Sequence, residues 1–404
     1  MKTVCILGAF DTKGNEFKYV KDLIEAQGLN TFCIHTGTFD PIFTPDVSNK
    51  EVAAAGGGDI DEIVARKERD LATETLSKGC EKLIPQLYAE GKFDGIIAMG
   101  GSGGSSMSAP GMRKLPLGVP KILCSTVAAG DVSFYVGQSD LIMMPSVVDV
   151  EGLNEISMSI FQNAANAIAG MVKNYKKVEG DGKPLVACTM FGVTTPCIKM
   201  ANAYLEKEGF APLVFHATGT GGSCMEALVR QGWFKGVLDL TTTEWCDEVG
   251  GGILSAGPTR CTAAADCGIP QVASLGATDM INFGPLDTLP ENFRDRNIFK
   301  HNPTTTLVRT NKDECLKIAT ELVKRWNTAD PKKIAVMLPL KGVSMIDAEG
   351  QPFYGPEEDK IMFDYIRANL NKDIELVELD LHVNDEDFAV AIAKKLIELV
   401  KANG

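Results

Sequence analysis

The chain has 404 residues, of which 45% are apolar and 23% charged. This ordinary globular composition suits two or three domains and excludes wholesale disorder. With 40 basic against 53 acidic residues the formal charge is −13, which argues against nucleic acid or an anionic membrane as the main partner.

Thr3 to Ala9 is a short apolar run that fits a strand buried on both faces of a parallel sheet. Residues 15–27 follow with helical spacing: Phe17, Val20, Leu23 and Ile24 share one face, and Gly28 is placed to stop the helix. Thr31 to His35 reads as the next strand, which completes a βαβ unit. A helix is expected across Ile60–Leu87, and strands at Asp94–Met99, Lys121–Ser125 and Leu141–Val148. A further helix is expected over 155–175. The polar, Gly-rich stretch at 176–183 reads as a linker between domains 1–178 and 183–404. Beyond it come a strand at Pro184–Met190, a helix at 197–208 stopped by Gly209, and a strand at Pro212–His216. Strands at Lys333–Leu338 and Glu375–Leu379 precede an amphipathic helix over 386–401, striped by Ala389, Ile392, Ala393, Leu396 and Ile397.

The two halves repeat. Phe10, Gly28 and His35 match Phe191, Gly209 and His216 at one constant offset, and Gly118-Val119-Pro120 matches Gly268-Ile269-Pro270. A shorter offset at Phe93 and Phe234 implies an insertion in the first half, within Asp40–Lys92. The expected fold is therefore α/β: two Rossmann-like domains with mainly parallel sheets, related by internal duplication. The 11 cysteines form no CxxC pair and lie mostly in apolar runs, as reduced buried thiols do. The first apolar run meets Asp11 too early for a signal sequence, and no run approaches the roughly 18 apolar residues of a membrane span. A cytoplasmic location is expected.

The sharpest chemical signal is Gly100-Gly101-Ser102-Gly103-Gly104-Ser105-Ser106, which follows a strand and opens a helix. Its glycines let backbone N–H groups close on an anion at a helix N-terminus, and Ser102, Ser105 and Ser106 add hydroxyls. No Lys follows the last glycine, so this is not a Walker loop, and it is not GxGxxG in register. The turn after the first strand offers Asp11, Thr12 and Lys13. Thr12 is placed to cap the next helix, Lys13 to face phosphate, and Asp11 either to bind Mg²⁺ or to cap. A third loop of small residues contains Thr126, Val127 and Ala128. At the place equivalent to the Gly-rich loop, the second half carries Thr241-Thr242-Thr243-Glu244. Its hydroxyls and carboxylate suggest a ligand cleft between the domains. Of the four histidines, only His216 is a functional candidate.

Gly8-Ala9-Phe10-Asp11-Thr12-Lys13, the Gly-rich loop, Pro145-Ser146-Val147-Val148-Asp149 and Met190-Phe191-Gly192-Val193-Thr194-Thr195-Pro196 occur in order. They are followed by Val237 to Glu244, Asp279-Met280-Ile281-Asn282-Phe283-Gly284 and Lys341-Gly342-Val343-Ser344. Together these motifs, spread from Thr3 to near Val400, resemble the ATP-binding region of the tomato mosaic virus resistance protein family (Tm-one type) and its bacterial branch. The resemblance implies two Rossmann-like domains, ATP bound mainly by the first, and a homodimer. In plants, proteins of this type block tobamovirus replication by binding the viral replication protein. They continue into a TIM-barrel-like region, so a separately encoded TIM-barrel partner is expected for a bacterial member.

Two functions follow. In the first, ATP–Mg²⁺ sits on Asp11–Lys13, Gly101–Ser106 and Thr126–Ala128 with slow or no hydrolysis. In the second, a small-molecule enzyme carries out phosphoryl transfer, hydrolysis or lyase chemistry on a phosphorylated or carboxylated metabolite. Glu244, His216 and Thr242 would then supply acid–base or orienting groups.

Overall fold

A computed structural model describes residues 1–176, 178 and 180–403. The chain divides into two compact units, Met1–Val178 and Glu179–Gly404. Within the linker expected at 176–183, Lys177 and Glu179 lie outside the described residues.

The first unit runs β1 (Thr3–Gly8), α1 (Gly14–Ala26), β2 (Asn30–His35), α2 (Asn49–Gly56), α3 (Ile60–Ala65), α4 (Arg69–Ala89), β3 (Gly95–Gly100), α5 (Ser102–Arg113), β4 (Lys121–Ser125), α6 (Ser133–Val136), β5 (Ile142–Pro145) and α7 (Glu155–Asn174). Its five strands are parallel in the order β2-β1-β3-β4-β5. Alternation along the strands feeds two cores. Cys5, Leu7, Ile96 and Leu123 pack with Val52, Leu76 and Met112 from α2, α4 and α5. Val4, Ile6, Ile97 and Ile122 pack on the other face with Phe17, Val20, Phe161 and Ile168 from α1 and α7. Each such fully buried aliphatic side chain contributes about 1.5–3 kcal/mol.

The helix expected across Ile60–Leu87 is two helices. Asp59 caps α3 through the Asp61 and Glu62 amides. Lys67, at φ 60°, then turns the chain into α4. This elbow falls among exposed residues whose spacing is helical on both sides, so hydrophobic periodicity carries no trace of it. The segment Asp40–Lys92 holds α2, α3 and α4. The strand expected at Leu141–Val148 shrinks to β5, because Val147 takes φ 63°.

The second unit runs β6 (Leu185–Met190), α8 (Thr195–Lys207), β7 (Ala211–His216), α9 (Thr220–Arg230), β8 (Gly236–Thr241), α10 (Glu244–Gly250), α11 (Ala263–Cys267), β9 (Gln271–Gly276), β10 (Met280–Phe283), β11 (Ile298–Asn302), β12 (Thr305–Arg309), α12 (Lys312–Trp326), β13 (Ile334–Pro339), α13 (Pro356–Asn369), β14 (Glu375–Leu379) and α14 (Glu386–Asn403). A six-stranded parallel sheet has the order β14-β13-β9-β8-β6-β7. Counted within each unit, both parallel sheets share the doubly wound order 2-1-3-4-5, the second with one strand added. The antiparallel sheet β10-β12-β11 has no counterpart in the first unit and no expectation from the sequence. The matched pairs occupy matching places. Phe10 stacks on His35 with ring centroids 5.5 Å apart, and Phe191 on His216 at 5.4 Å. Gly28 and Gly209 follow α1 and α8 at φ 77° and 87°. Among the described residues no helix is long and apolar enough to cross a membrane.

Candidate functional site

In a doubly wound sheet the crevice opens where the strand order reverses, beyond the carboxyl ends of the strands. In the first unit that point lies between β1 and β3. A cavity of about 890 Å³ occurs there, lined by the turn Gly8–Lys13, the Gly-rich loop through Gly104, the loop Thr36–Phe39 and the α3–α4 elbow.

The Gly-rich loop supplies the cavity's donors. Gly101 is the N-cap of α5 and offers no side-chain acceptor, so the first-turn amides of Ser102, Gly103 and Gly104 have no partner within the helix. A Cβ built on Gly103 meets nothing within 4 Å. On Gly101 it meets only Thr126 Oγ1 at 3.6 Å, and on Gly104 only the Met99 carbonyl at 3.5 Å. The space a side chain would fill here is the cavity itself.

Not every residue expected at this site reaches it. Gly101, Ser102, Gly103 and Gly104 line the cavity. Ser105 does not: it is fully buried, and its hydroxyl bridges the Gly101 carbonyl at 2.8 Å and Ser125 Oγ at 2.6 Å. It shapes the loop from behind. Ser106, whose carbonyl accepts from Ser77 at 3.4 Å, lies outside the lining, as do Thr126, Val127 and Ala128. Thr12 lines the cavity but caps no helix, since α1 begins at an N-cap Lys13 without a side-chain hydrogen bond. The Lys13 ammonium donates to the Val150 carbonyl.

Asp11 has a clear structural task. Its Oδ1 accepts the Thr12 amide at 2.7 Å and its Oδ2 the Phe39 amide at 3.0 Å. The carboxylate lies against Gly37, where a Cβ would come within 2.1 Å of Oδ1. His35 holds the same loop from below. Its Nδ1 accepts the Phe10 and Gly37 amides at 3.1 and 3.3 Å, so Nε2 carries the hydrogen and donates to the Phe39 carbonyl at 2.9 Å. The rule that finds ligand loops at strand ends applies to β2 as it does to β1, so the Thr36–Phe39 loop was within reach of the sequence. The elbow contributions, Ile63, Val64, Lys67 and Arg69, carried no such signal.

The second unit fills the equivalent crevice with side chains. Thr241, Thr242 and Thr243 are fully buried, and the Thr242 hydroxyl donates to the Ser274 carbonyl at 3.1 Å. Glu244 is 1% exposed. Its Oε1 accepts the Gly219 and Gly222 amides at the start of α9, at 2.8 and 3.1 Å. Its Oε2 pairs with Arg260 Nε at 2.5 Å. Arg260 also grips Asp239 through two bonds of 2.6 Å and reaches Glu226 at 3.4 Å. Burial pushes the Glu244 carboxyl above its ordinary range, against the pull of Arg260 and the Gly219 amide. His216 is exposed and stacked on Phe191. Glu244 and Thr242 are thus committed to internal partners. Burial also pushes the thiols of Cys33, Cys80, Cys124 and Cys315 up to about 12, which suits structural cysteines. Among the described residues no group of three or more His, Cys, Asp or Glu side chains is arranged to hold a metal ion.

The geometry defines a two-unit, doubly wound α/β protein with a glycine-lined crevice in its first unit. The chain belongs to the uncharacterised protein family UPF0261: the N-terminal domain of that family matches residues 2–177 and the C-terminal domain residues 183–400. A UPF0261 protein of Clostridium tetani is 50% identical over 99% of both chains. The ToMV resistance protein Tm-1(GCR237) of Solanum lycopersicum is 37% identical over 98% of this chain, which spans 55% of that protein. A solved UDP-GlcNAc 2-epimerase of Methanocaldococcus jannaschii, in complex with UDP-GlcNAc and UDP, matches 68% of this chain and 83% of its own at 10% identity. Its TM-score of 0.23 bears on nothing further.

Proposed function

We propose that this is a nucleotide-binding protein whose N-terminal unit takes ATP, with the phosphates on the backbone of Gly101–Gly104. One observation carries the reading: a nucleotide-sized cavity at the switch point, into which unpartnered first-turn amides open and which any side chain at Gly103 would fill. The likeness to the Tm-one type supports it. Ser102 adds a hydroxyl at the same helix start, and Thr12 lines the facing turn.

Mg²⁺, which would neutralise phosphate charge, fits Asp11 as a single protein ligand. Each Asp11 oxygen accepts one backbone N–H and keeps a lone pair. That suits a cation arriving with the phosphates better than one held by the protein alone. In this reading the protein works as a homodimer.

Thermal unfolding with ATP–Mg²⁺, ADP, GTP and inorganic phosphate tests the proposal. A saturable rise with ATP at low concentration is expected, and no rise with any nucleotide ends it. A monomer mass in solution would remove the dimer and leave the site.

A further inference from the structure

The Thr36–Phe39 loop is over-determined for a surface turn. Its amides and carbonyls are held at five points: the Thr36 amide by Gly8 O at 2.9 Å, the Gly37 amide by His35 Nδ1 at 3.3 Å, the Gly37 carbonyl by Asn49 Nδ2 at 2.8 Å, and both backbone groups of Phe39 by Asp11 and His35. Yet the side chain this anchoring presents is apolar and 62% exposed. Phe39 joins none of the hydrophobic clusters and stacks on no other ring among the described residues. It lines the same cavity as the Gly-rich loop. A rigid backbone carrying a bare aromatic face at the rim of a cavity is the arrangement that receives a flat ring. By contrast, the buried Phe10 and the half-buried Phe43 stack on each other at 4.6 Å and pack with the hydrophobic core.

We infer that Phe39 is the stacking platform for the base of a nucleotide whose phosphates lie on Gly101–Gly104. This rests on the nucleotide reading above and deepens it, assigning base recognition to a loop outside the Gly-rich motif. Stacking tolerates any base, and larger ring systems stack better. The expected order of affinity is therefore ATP and GTP above UTP, and UTP above inorganic tripolyphosphate, which has no base.

The test compares dissociation constants of ATP, GTP, UTP and tripolyphosphate, each with Mg²⁺, for the wild-type chain, Phe39→Ala and Phe39→Trp. Phe39→Ala should weaken ATP by roughly ten- to a hundredfold, as expected for one base stacked on one aromatic side chain. It should leave tripolyphosphate unchanged. Phe39→Trp should keep ATP affinity. Because the three native tryptophans, Trp233, Trp245 and Trp326, all lie in the second unit, the new indole would be the first in this unit. ATP should change its fluorescence and tripolyphosphate should not. Equal losses for ATP and tripolyphosphate in Phe39→Ala, or no loss for either, would overturn the assignment to Phe39 while leaving the phosphate site intact. Absence of any binding to the wild-type chain would overturn the nucleotide reading and this one together.

Discussion

Substitution of Gly103 by valine isolates the crevice from the fold. The position is in the first turn of α5, and a Cβ there meets no atom within 4 Å. Glycine inside a helix costs about 1 kcal/mol relative to alanine and valine costs less, so the variant should be as stable as the parent or slightly more so. Its three added carbons would stand where phosphate oxygens reach the amides of Ser102, Gly103 and Gly104. Hydrogen bonds to a charged acceptor contribute about 1.5–3 kcal/mol each. Loss of one or two therefore weakens ATP by about 3 kcal/mol, more than a hundredfold in dissociation constant. At a hundredfold excess over its dissociation constant, ATP should stabilise the wild-type unit by about 2.7 kcal/mol. For a unit of this size that is a rise of about 5–11 °C in its unfolding temperature. In Gly103→Val the unliganded melting curve should stay in place and the rise should vanish. A variant that keeps the full, saturable ATP shift would refute the reasoning, because the donors would then lie elsewhere.

Four further outcomes follow from the same geometry. Ser105→Ala removes the hydroxyl that ties Gly101 to Ser125; it should cost about 1–2 kcal/mol in urea unfolding and weaken ATP less than Gly103→Val does. Gly37→Ala drives a methyl group into the Asp11 carboxylate and should loosen the Phe39 loop, seen as faster amide exchange there with the sheet still protected. Arg260→Met strands the buried carboxylates of Asp239, Glu244 and Glu226; a loss of about 3–5 kcal/mol is expected in the second unit alone, and a loss under 1 kcal/mol would mean the network is neutral. Asp247 is buried under its Asn282 contacts, and burial raises its pKa to about 7. The folded state then keeps a proton that the unfolded chain releases near pH 4. The stabilisation is complete below that pH and is lost as pH rises toward 7. The stability difference between wild type and Asp247→Asn should shift against the wild type over that window, and a difference independent of pH would count against it.

The parallel skeleton was legible because doubly wound sheets write continuous apolar runs, as in Val4 to Leu7 and Ile334 to Leu338, between amphipathic helices. The pairing of Phe10–His35 with Phe191–His216 could be read from spacing alone, and the rings stack alike in both units. What spacing could not convey was direction. Ser105 and Ser102 look equivalent in the loop, yet the Ser105 hydroxyl is buried on Ser125 while Ser102 lines the cavity. Glu244 looked like an available acid because nothing near it in sequence announces Arg260, sixteen positions away. The elbow at Lys67 was hidden because a left-handed turn by a non-glycine residue leaves no mark in composition. The antiparallel strands β10 to β12 escaped because they are runs of only four or five residues.

The Glu244 carboxylate on the Gly219 and Gly222 amides has a consequence for comparing the two units. A helix start near the carboxyl ends of a parallel sheet favours an anion. In the second unit the start of α9, after β7, takes its anion from Glu244 of the same chain. In the first unit the start of α5, after β3, has Gly101 as its N-cap and no side-chain cap hydrogen bond. One helix start thus carries its counter-charge within the chain, and the other has no side-chain cap.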